Sequence, residues 1–307
     1  MLYVRDGTRI AWRLTGPRAR GGAPGRERIV LCDGISCDGF IWRDLLPVLE
    51  RDHDVLHVNY RGHGRSGLPR DLTTATLPFL VGDLLEVMDE VGFADAVFMG
   101  HSLGVQVSLE AAIRAPERVR GLVLLNGSHG RVLDTFAHTD IGAKVLPIFD
   151  RLAQRFRGAV STVVRGFLGS PAAYMLAALT EIKGDRIKPK DFQPYLDHFA
   201  RMPLDLFATL LADASERTAL PELPRLAVPA LVMAGQDDGF TPIAVSKVLA
   251  QTLPAARLVV VPGTSHTAPL EAPEAFASAI GAFLDELPAA ASEAARAAVP
   301  TAWPRWA

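Results

Sequence analysis

The sequence predicts an α/β fold: a mostly parallel sheet of eight strands, helices on both faces, and a helical lid inserted after the sixth strand. Three observations predict it. Strand-like and helix-like hydrophobic patterns alternate as far as residue 125, as in a sheet whose parallel strands are joined by crossover helices. The alternation stops between residues 130 and 221, where the pattern is helix-like without a convincing strand. It resumes with the apolar run "PALVMAGQDD".

The predicted strands are short apolar or alternating runs bounded by turn-forming residues. They span residues 2–5, 9–14, 28–32, 54–59, 95–99, 119–125, 229–234 and 257–261. Two crossover helices are predicted between them. "FIWRDLLPVLERD", residues 40–52, follows the third strand, and "FLVGDLLEVMDEVG", residues 79–92, follows the fourth; both repeat apolar residues at helical spacing.

The chain divides into a core, an insertion and a tail. Residues 1–129 and 222–287 are predicted to form the core, and residues 130–221 a helical cap, which is the lid named above. An independent helical domain is the alternative for the insertion. Residues 288–307 form an alanine- and proline-rich tail, for which a short helix followed by coil is expected and no chemistry is indicated.

Composition excludes several classes of protein. With 32 basic and 34 acidic side chains the net charge is −2, so no overall field favours nucleic acid. No run of about 20 apolar residues is present, which predicts no membrane-spanning helix. Charges in the N-terminal "MLYVRDGTRIAWRL" are untypical of a signal peptide and favour a cytoplasmic protein. Cys32 and Cys37 form neither a disulfide framework nor a four-ligand zinc set, and no cluster of histidines and carboxylates has metal-ligand spacing, so no metal or cofactor is expected.

The stretch "GHSLG", residues 100–104, lies between the fifth predicted strand and a helix-like segment. G-x-S-x-G at such a junction is typical of a nucleophile elbow, whose tight turn requires small neighbours and exposes the serine above the sheet. The helix N-terminus beside it favours developing negative charge. Ser102 is therefore the predicted nucleophile.

A serine nucleophile needs a base, and the base needs an acid that fixes its tautomer. Later strand ends provide both. Asp237 and Asp238 follow the seventh predicted strand in "LVMAGQDDGFTP", and His266 follows the eighth in "LVVVPGTSHTAPLEAPEAF". Because the carboxyl ends of parallel strands gather ligands at one edge of an open sheet, we expect these groups to meet Ser102.

With these residues the chain resembles the α/β-hydrolase superfamily from Met1 to about Leu287. "NYRGHGRSG", "GQDDGFTP" and "SHTAPLEAPEAF" are similar to family loops, and the family's lid also follows the sixth strand. The G-x-x-D-x-x-x-P spacing, from Gly235 to Pro242, implies that Asp238 is the acid. The resemblance also implies an oxyanion hole made by the backbone N–H groups of Ile35 and Leu103.

One residue departs from the family pattern. The oxyanion segment usually begins with His-Gly, whereas this chain has Asp33-Gly34 in "LCDGISCDGFIW". A carboxylate near an oxyanion opposes the charge that develops there, unless it points away or is neutralised by a partner. His101, inside the elbow, is expected to pack beside the turn without a catalytic role. The six remaining histidines show no partner pattern, and surface or core roles are expected for them; they are His53, His57, His63, His129, His138 and His198.

The expected activity is that of a serine hydrolase, which cleaves a carboxylic ester or a related acyl bond through an acyl-enzyme intermediate. The expected partner is a small acyl substrate, apolar because the lid is rich in apolar side chains. The lid residues considered for this pocket are Phe149, Phe156, Phe167, Tyr174, Met175, Phe199 and Phe207. A biosynthetic enzyme of the same fold, catalysing cyclisation, acyl transfer or carbon–carbon cleavage, is the first alternative. A ligand-binding protein without catalysis is the second.

Overall fold

The computed structural model describes residues 1–131, 157–168, 170–180 and 182–288. Its strands are β1 Leu2–Tyr3, β2 Arg9–Ile10, β3 Trp12–Thr15, β4 Arg28–Cys32, β5 Asp54–Val58, β6 Ala96–His101, β7 Val119–Leu125, β8 Ala230–Gly235 and β9 Ala256–Val261. The main sheet has seven strands in the order β3-β5-β4-β6-β7-β8-β9, with β3 antiparallel to β5 and the other pairs parallel. Strands β1 and β2 pair with each other.

The predicted fold class is confirmed, but the prediction of eight strands in one sheet is wrong. The predicted strand 9–14 is interrupted at Ala11, whose backbone leaves the ladder. Its N–H donates to Ser66 Oγ and its carbonyl accepts from the N–H of Asn59. Residues before the break therefore join β1 in a separate two-stranded ribbon, and those after it form the edge strand β3.

Ten α-helices lie in the described part of the chain. They are α1 Leu46–Leu49, α2 Leu77–Glu90, α3 Leu103–Arg114, α4 Arg157–Leu168, α5 Pro171–Thr180, α6 Pro189–Arg201, α7 Leu204–Glu216, α8 Ile243–Thr252, α9 Ala268–Glu271 and α10 Pro273–Glu286. The predicted helix 79–92 corresponds to α2. The predicted helix 40–52 is wrong: a 3₁₀ turn, Phe40–Trp42, is followed by the short α1, because Pro47 has no N–H and cannot continue a helix from the preceding turn.

Apolar side chains cover both faces of the sheet. Along β4, Val30 and Cys32 belong to one buried cluster, whereas Ile29 and Leu31 belong to the other. Helices α2, α3 and α8 pack in the first cluster and α10 in the second. Burial on both faces explains why the central strands are continuous apolar runs instead of alternating ones.

Helices α4–α7 lie between β7 and β8, where the insertion was predicted. Phe192 and Leu196 of α6 share a buried cluster with Trp42 of the core, so the insertion packs directly on the core. Of the predicted cap, residues 132–156 lie outside the described residues, as do residues 289–307 of the predicted tail. Within the described ranges, no helix combines the length and the apolar character needed to cross a membrane.

Candidate active site

Ser102 lies at the sharp turn between β6 and α3. Its φ of 54° and ψ of −117° place a non-glycine residue in a strained region of the backbone. The turn is possible because the residues two positions before and two positions after Ser102 are glycines. A Cβ on Gly100 would lie 2.1 Å from the carbonyl oxygen of Gly104, and one on Gly104 would lie 2.0 Å from that of Cys32. This geometry is that of a nucleophile elbow.

Three of the predicted side chains form one hydrogen-bonded chain. His266 Nε2 lies 3.1 Å from Ser102 Oγ, and His266 Nδ1 lies 3.1 and 3.0 Å from the two carboxylate oxygens of Asp238. An ionised carboxylate can only accept, so Nδ1 carries a proton and donates to Asp238. In the neutral imidazole, Nε2 is then the acceptor and faces the hydroxyl of Ser102.

The carboxylate of Asp238 is buried and well supplied with donors. Burial alone would raise the pKa of Asp238, but His266, Asn126 and Thr241 outweigh it and lower that pKa to about 2. The Thr241 hydroxyl and Asn126 Nδ2 donate at 2.7 and 2.9 Å. Asn126 follows β7, and its amide binds the carboxylate of Asp238, which lies after the next strand.

Asp237 takes a different partner. Its carboxylate forms an ion pair with Lys183 Nζ at 2.8 Å, and its side chain is 44% exposed. The two aspartates lie at a turn after β8, in which the N–H of Asp238 donates to the carbonyl oxygen of Gly235 at 3.3 Å. Within this turn Asp238 reaches His266, whereas Asp237 contacts the insertion.

The two expected oxyanion donors, the N–H groups of Ile35 and Leu103, have no hydrogen-bond partner within the described ranges. Leu103 is the first residue of α3, whose early N–H groups have no partner within the helix. The loop that carries Ile35 is fixed at Ser36. This residue has a φ of 56°, and its N–H donates to His63 Nε2 at 3.3 Å. Burial lowers the pKa of His63 to about 4, which leaves its ring neutral and able to accept.

Asp33, the departure from the family pattern, is buried and paired. One carboxylate oxygen accepts from the indole N–H of Trp42 at 2.7 Å, and the other lies 2.8 Å from His57 Nε2. Burial and, to a smaller extent, the positive charge of Arg13 lower the pKa of His57. The carboxylates of Asp33 and Asp38 raise it by more, so the pKa of His57 is raised overall. Only a surface or core role was expected for His57, and no sequence motif indicates its pairing with Asp33.

The His57–Asp33 pair predicts how stability depends on pH. A histidine with a raised pKa in the folded state stabilises the protein fully below its unfolded pKa of about 6.5, and this contribution is lost as pH rises through the folded pKa. Relative to a His57→Gln variant, the wild type should therefore have its largest stability advantage near pH 5.5 to 6. Urea unfolding across pH measures this difference.

His129 provides the control with the opposite sign. Its pKa is lowered, chiefly by burial, so its neutral form is the one that folding favours. The advantage of wild type over His129→Gln should shrink as the solution becomes more acidic. If the His57→Gln difference followed the same trend as the His129→Gln difference, the raised pKa of His57 would be wrong.

His101, inside the elbow, packs against the base. Its Nε2 lies 3.0 Å from the carbonyl oxygen of His266, and the two rings are 5.0 Å apart. Burial lowers its pKa to about 3, so the ring is neutral and its Nε2 donates to that carbonyl. His101 therefore positions the loop that carries His266.

Glu271 joins the histidine loop to the insertion. Its carboxylate accepts from the N–H and hydroxyl of Ser265 and from the hydroxyl of Thr267, the residues on either side of His266. It also accepts from the backbone N–H of Lys183 at 3.1 Å. One buried carboxylate therefore fixes both the base and the loop between α5 and α6.

A cavity of about 140 Å³ opens beside Ser102 and His266. Of the insertion residues considered for it, Phe199 and Phe207 line it. Tyr174 instead donates to the carbonyl oxygen of Ile187, Phe167 and Met175 are exposed, and Phe149 and Phe156 lie outside the described residues. Four aromatic residues that sequence analysis did not assign complete the wall: Phe40, Phe192, Tyr195 and Phe240.

Two other observations concern possible ligands. A larger cavity of about 340 Å³ is lined by residues around Arg61 and Asp83 and by none of the candidate site residues. In the described ranges, no three His, Cys, Asp or Glu side chains come together as a metal site would require. Cys32 and Cys37 are both buried, and neither forms a disulfide.

The chain is similar to known proteins over most of its length. Over 258 residues the chain is 28% identical to RutD of Pseudomonas savastanoi pv. phaseolicola, a protein named as a carbamate hydrolase; the match covers 84% of this chain and 93% of RutD. It is 31% identical over 266 residues to the polyketide synthase ThaQ of Burkholderia thailandensis, covering 84% of this chain and 12% of ThaQ.

Among solved structures, the enol-lactonase from Burkholderia xenovorans LB400 superposes with a TM-score of 0.68 at 26% identity, covering 91% of this chain and 98% of that one. Residues 27–273 match the family model described as alpha/beta hydrolase fold. Because this match takes in most of the chain and agrees with the sheet described above, the protein belongs to the alpha/beta hydrolase family of enzymes.

Proposed function

We propose that the protein is a serine hydrolase that cleaves a carboxylic ester or a related acyl bond through an acyl-enzyme intermediate. One observation carries the proposal: the hydrogen-bonded chain from Ser102 Oγ through His266 to Asp238, with the serine on a strained elbow. Such a chain activates a hydroxyl that is otherwise a weak nucleophile.

In the acylation step, Ser102 Oγ attacks the carbonyl carbon and its proton passes to His266 Nε2. The imidazolium that forms is stabilised by the ionised Asp238. His266 then gives the same proton to the leaving alkoxide, the bond between the carbonyl carbon and the leaving oxygen breaks, and an acyl ester on Ser102 remains.

The N–H groups of Ile35 and Leu103 are proposed to stabilise the oxyanion. Their lack of other partners in the described chain supports this role, because an oxyanion hole needs donors that are already oriented and free. Asp33 does not oppose the oxyanion, since its carboxylate is directed into the pair with His57 and Trp42.

Deacylation reverses the roles with water as the nucleophile. His266 Nε2 takes a proton from water, the hydroxide attacks the acyl carbon, and the proton returns to Ser102 as the acid product leaves. No step requires a metal or another cofactor.

We also propose that residues 130–221 form the cap and that the core comprises residues 1–129 and 222–287. The cavity supports this division, because its wall combines Ser102 and His266 of the core with aromatic residues of α6 and α7. The proposed substrate is a small, apolar acyl compound. Carbamate hydrolase and enol-lactonase, the names of two relatives, both describe cleavage at a carbonyl group and are consistent with this reading.

Acyl transfer or cyclisation is the second candidate, favoured by the match to a segment of the polyketide synthase ThaQ. Both activities form the same acyl-enzyme and differ in the nucleophile that releases it. Product analysis in the presence of alcohols or amines separates them, because a hydrolase yields the free acid whereas a transferase yields the new ester or amide.

A fluorophosphonate tests the proposal, since it reacts with an activated serine and needs no knowledge of the substrate. We expect stoichiometric labelling of the full-length protein, with the added mass on the peptide that contains Ser102. Absence of labelling, or labelling at another serine, would overturn the assignment of the nucleophile.

A further inference from the structure

Aromatic rings form a continuous wall on one side of the cavity. Phe40, Phe192, Tyr195, Phe199 and Phe207 follow one another, with successive ring centroids 5.8, 5.0, 6.3 and 5.0 Å apart. These separations are typical of favourable aromatic pairs. The first ring belongs to the core and the others to α6 and α7, so both parts of the chain build this wall.

A sixth ring lies next to the reacting atoms. The ring centroid of Phe240 is 5.1 Å from that of His266, with 30° between the ring planes. Phe240 and His266 line the same cavity as the aromatic wall. A group bound in the cavity is therefore surrounded by rings while its carbonyl is close to Ser102.

The cavity offers no charged partner. None of its fifteen lining residues is Lys, Arg, Asp or Glu. Burial lowers the pKa of His101 to about 3, so that ring is neutral as well. Two hydroxyl groups of residues that line the cavity, Ser36 and Tyr195, lie 3.3 Å from each other and form a hydrogen bond. A carboxylate or ammonium group bound among the rings would lose its hydration without gaining a side chain of opposite charge.

The volume restricts the size of the group. A cavity of about 150 Å³ lined by apolar side chains holds a benzene molecule, and the present cavity measures about 140 Å³. Resting on the proposed hydrolase function, we infer that the cavity binds one uncharged aromatic ring of the substrate, carried on either its acyl or its alcohol side. An aromatic ring can form offset-stacked or edge-to-face pairs with the rings of the wall. A saturated ring with the same number of carbon atoms has no π-system and gains less from these contacts.

The test compares esters that differ only in the ring. Methyl phenylacetate against methyl cyclohexylacetate examines the acyl side, and benzyl acetate against cyclohexylmethyl acetate examines the alcohol side. After correction for alkaline hydrolysis rates, kcat/KM should favour the aromatic ester about three- to tenfold in one of the two pairs. In the pair that shows this preference, replacing the phenyl ring by a 1-naphthyl ring should lower kcat/KM about tenfold, because two fused rings overfill the cavity.

Two matched variants assign the effect to the wall. Phe199→Leu keeps an apolar side chain but removes one ring, so the aromatic preference should fall toward one. Phe167→Leu makes the same substitution on α4 at a side chain that is 40% exposed and does not line the cavity; it should leave the preference unchanged. An equal loss of preference in both variants would contradict the inference.

Fluorophosphonate labelling of Ser102 is measured on the same preparations. Labelling together with a ratio near one in both ester pairs, or with no turnover of any of the four esters, overturns the inference and leaves the proposed nucleophile standing. Failure of labelling overturns the proposed function itself, and the inference with it.

Discussion

Ser102→Ala is expected to lower kcat by about 10⁶-fold, the loss seen when the nucleophile of a serine hydrolase is removed. Alanine keeps the Cβ atom and therefore tolerates the strained turn no worse than serine does, so the fold should be unchanged. The residual rate would come from substrate binding and the oxyanion hole. Steady-state kinetics on any ester that the wild type hydrolyses measures the loss.

Ser170→Ala is the matched control for this variant. Ser170 lies between α4 and α5, its hydroxyl donates to the carbonyl oxygen of Phe167, and it does not line the cavity beside Ser102. Its activity should equal that of the wild type. A Ser102→Ala protein that retained a tenth of the wild-type rate would show that another group is the nucleophile.

Asp238→Asn is expected to lower kcat by a factor on the order of 10⁴, because an amide no longer fixes the tautomer of His266 and no longer stabilises the imidazolium. The same neutral substitution at the adjacent residue, Asp237→Asn, removes only the ion pair with Lys183. Partly exposed pairs of this kind contribute about 1 kcal/mol or less to stability. The two variants are therefore nearly identical in chemistry and very different in expected effect.

Kinetics and unfolding curves of both aspartate variants separate catalysis from folding. Asp238→Asn should retain a cooperative unfolding transition while turnover is lost. If Asp237→Asn were the inactive variant and Asp238→Asn the active one, the assignment of the acid would be reversed.

Local sequence patterns were sufficient to locate the elbow and the strand-end loops. Gly100 is required by its contact with Gly104, four residues later, whereas Gly104 is required by the approach of Cys32 on β4; both glycines nevertheless belong to one five-residue pattern that can be recognised in the sequence. Asp238 and His266 follow strands whose apolar runs are easily recognised, and parallel strands deliver their carboxyl ends to one edge of the sheet.

Contacts between distant segments could not be read in the same way. Asp33 meets His57 because β4 and β5 are neighbours in the sheet, and nothing in either segment alone indicates the pairing. A buried carboxylate does demand a partner, so the unusual Asp33 was itself the available signal. The wall of the cavity was missed in part for a similar reason: Phe40 and Phe240 belong to core loops that come together only in the folded chain. The break at Ala11 likewise depends on a distant loop.

The insertion leaves and re-enters the core at a single place. Gly130 and Thr218 pair in an antiparallel bridge, and the N–H of Ala219 donates to the carbonyl oxygen of His129 at 2.7 Å. The entropic cost of closing a loop grows only slowly with its length. Because the two ends of the insertion are joined to each other, the core tolerates insertions of different length and sequence at this place. Over evolutionary time, one set of helices can therefore be exchanged for another without rebuilding the sheet. The side chains proposed to break the bond lie on the core and can then be kept, while the part of the cavity wall that lies on the insertion changes and alters substrate preference.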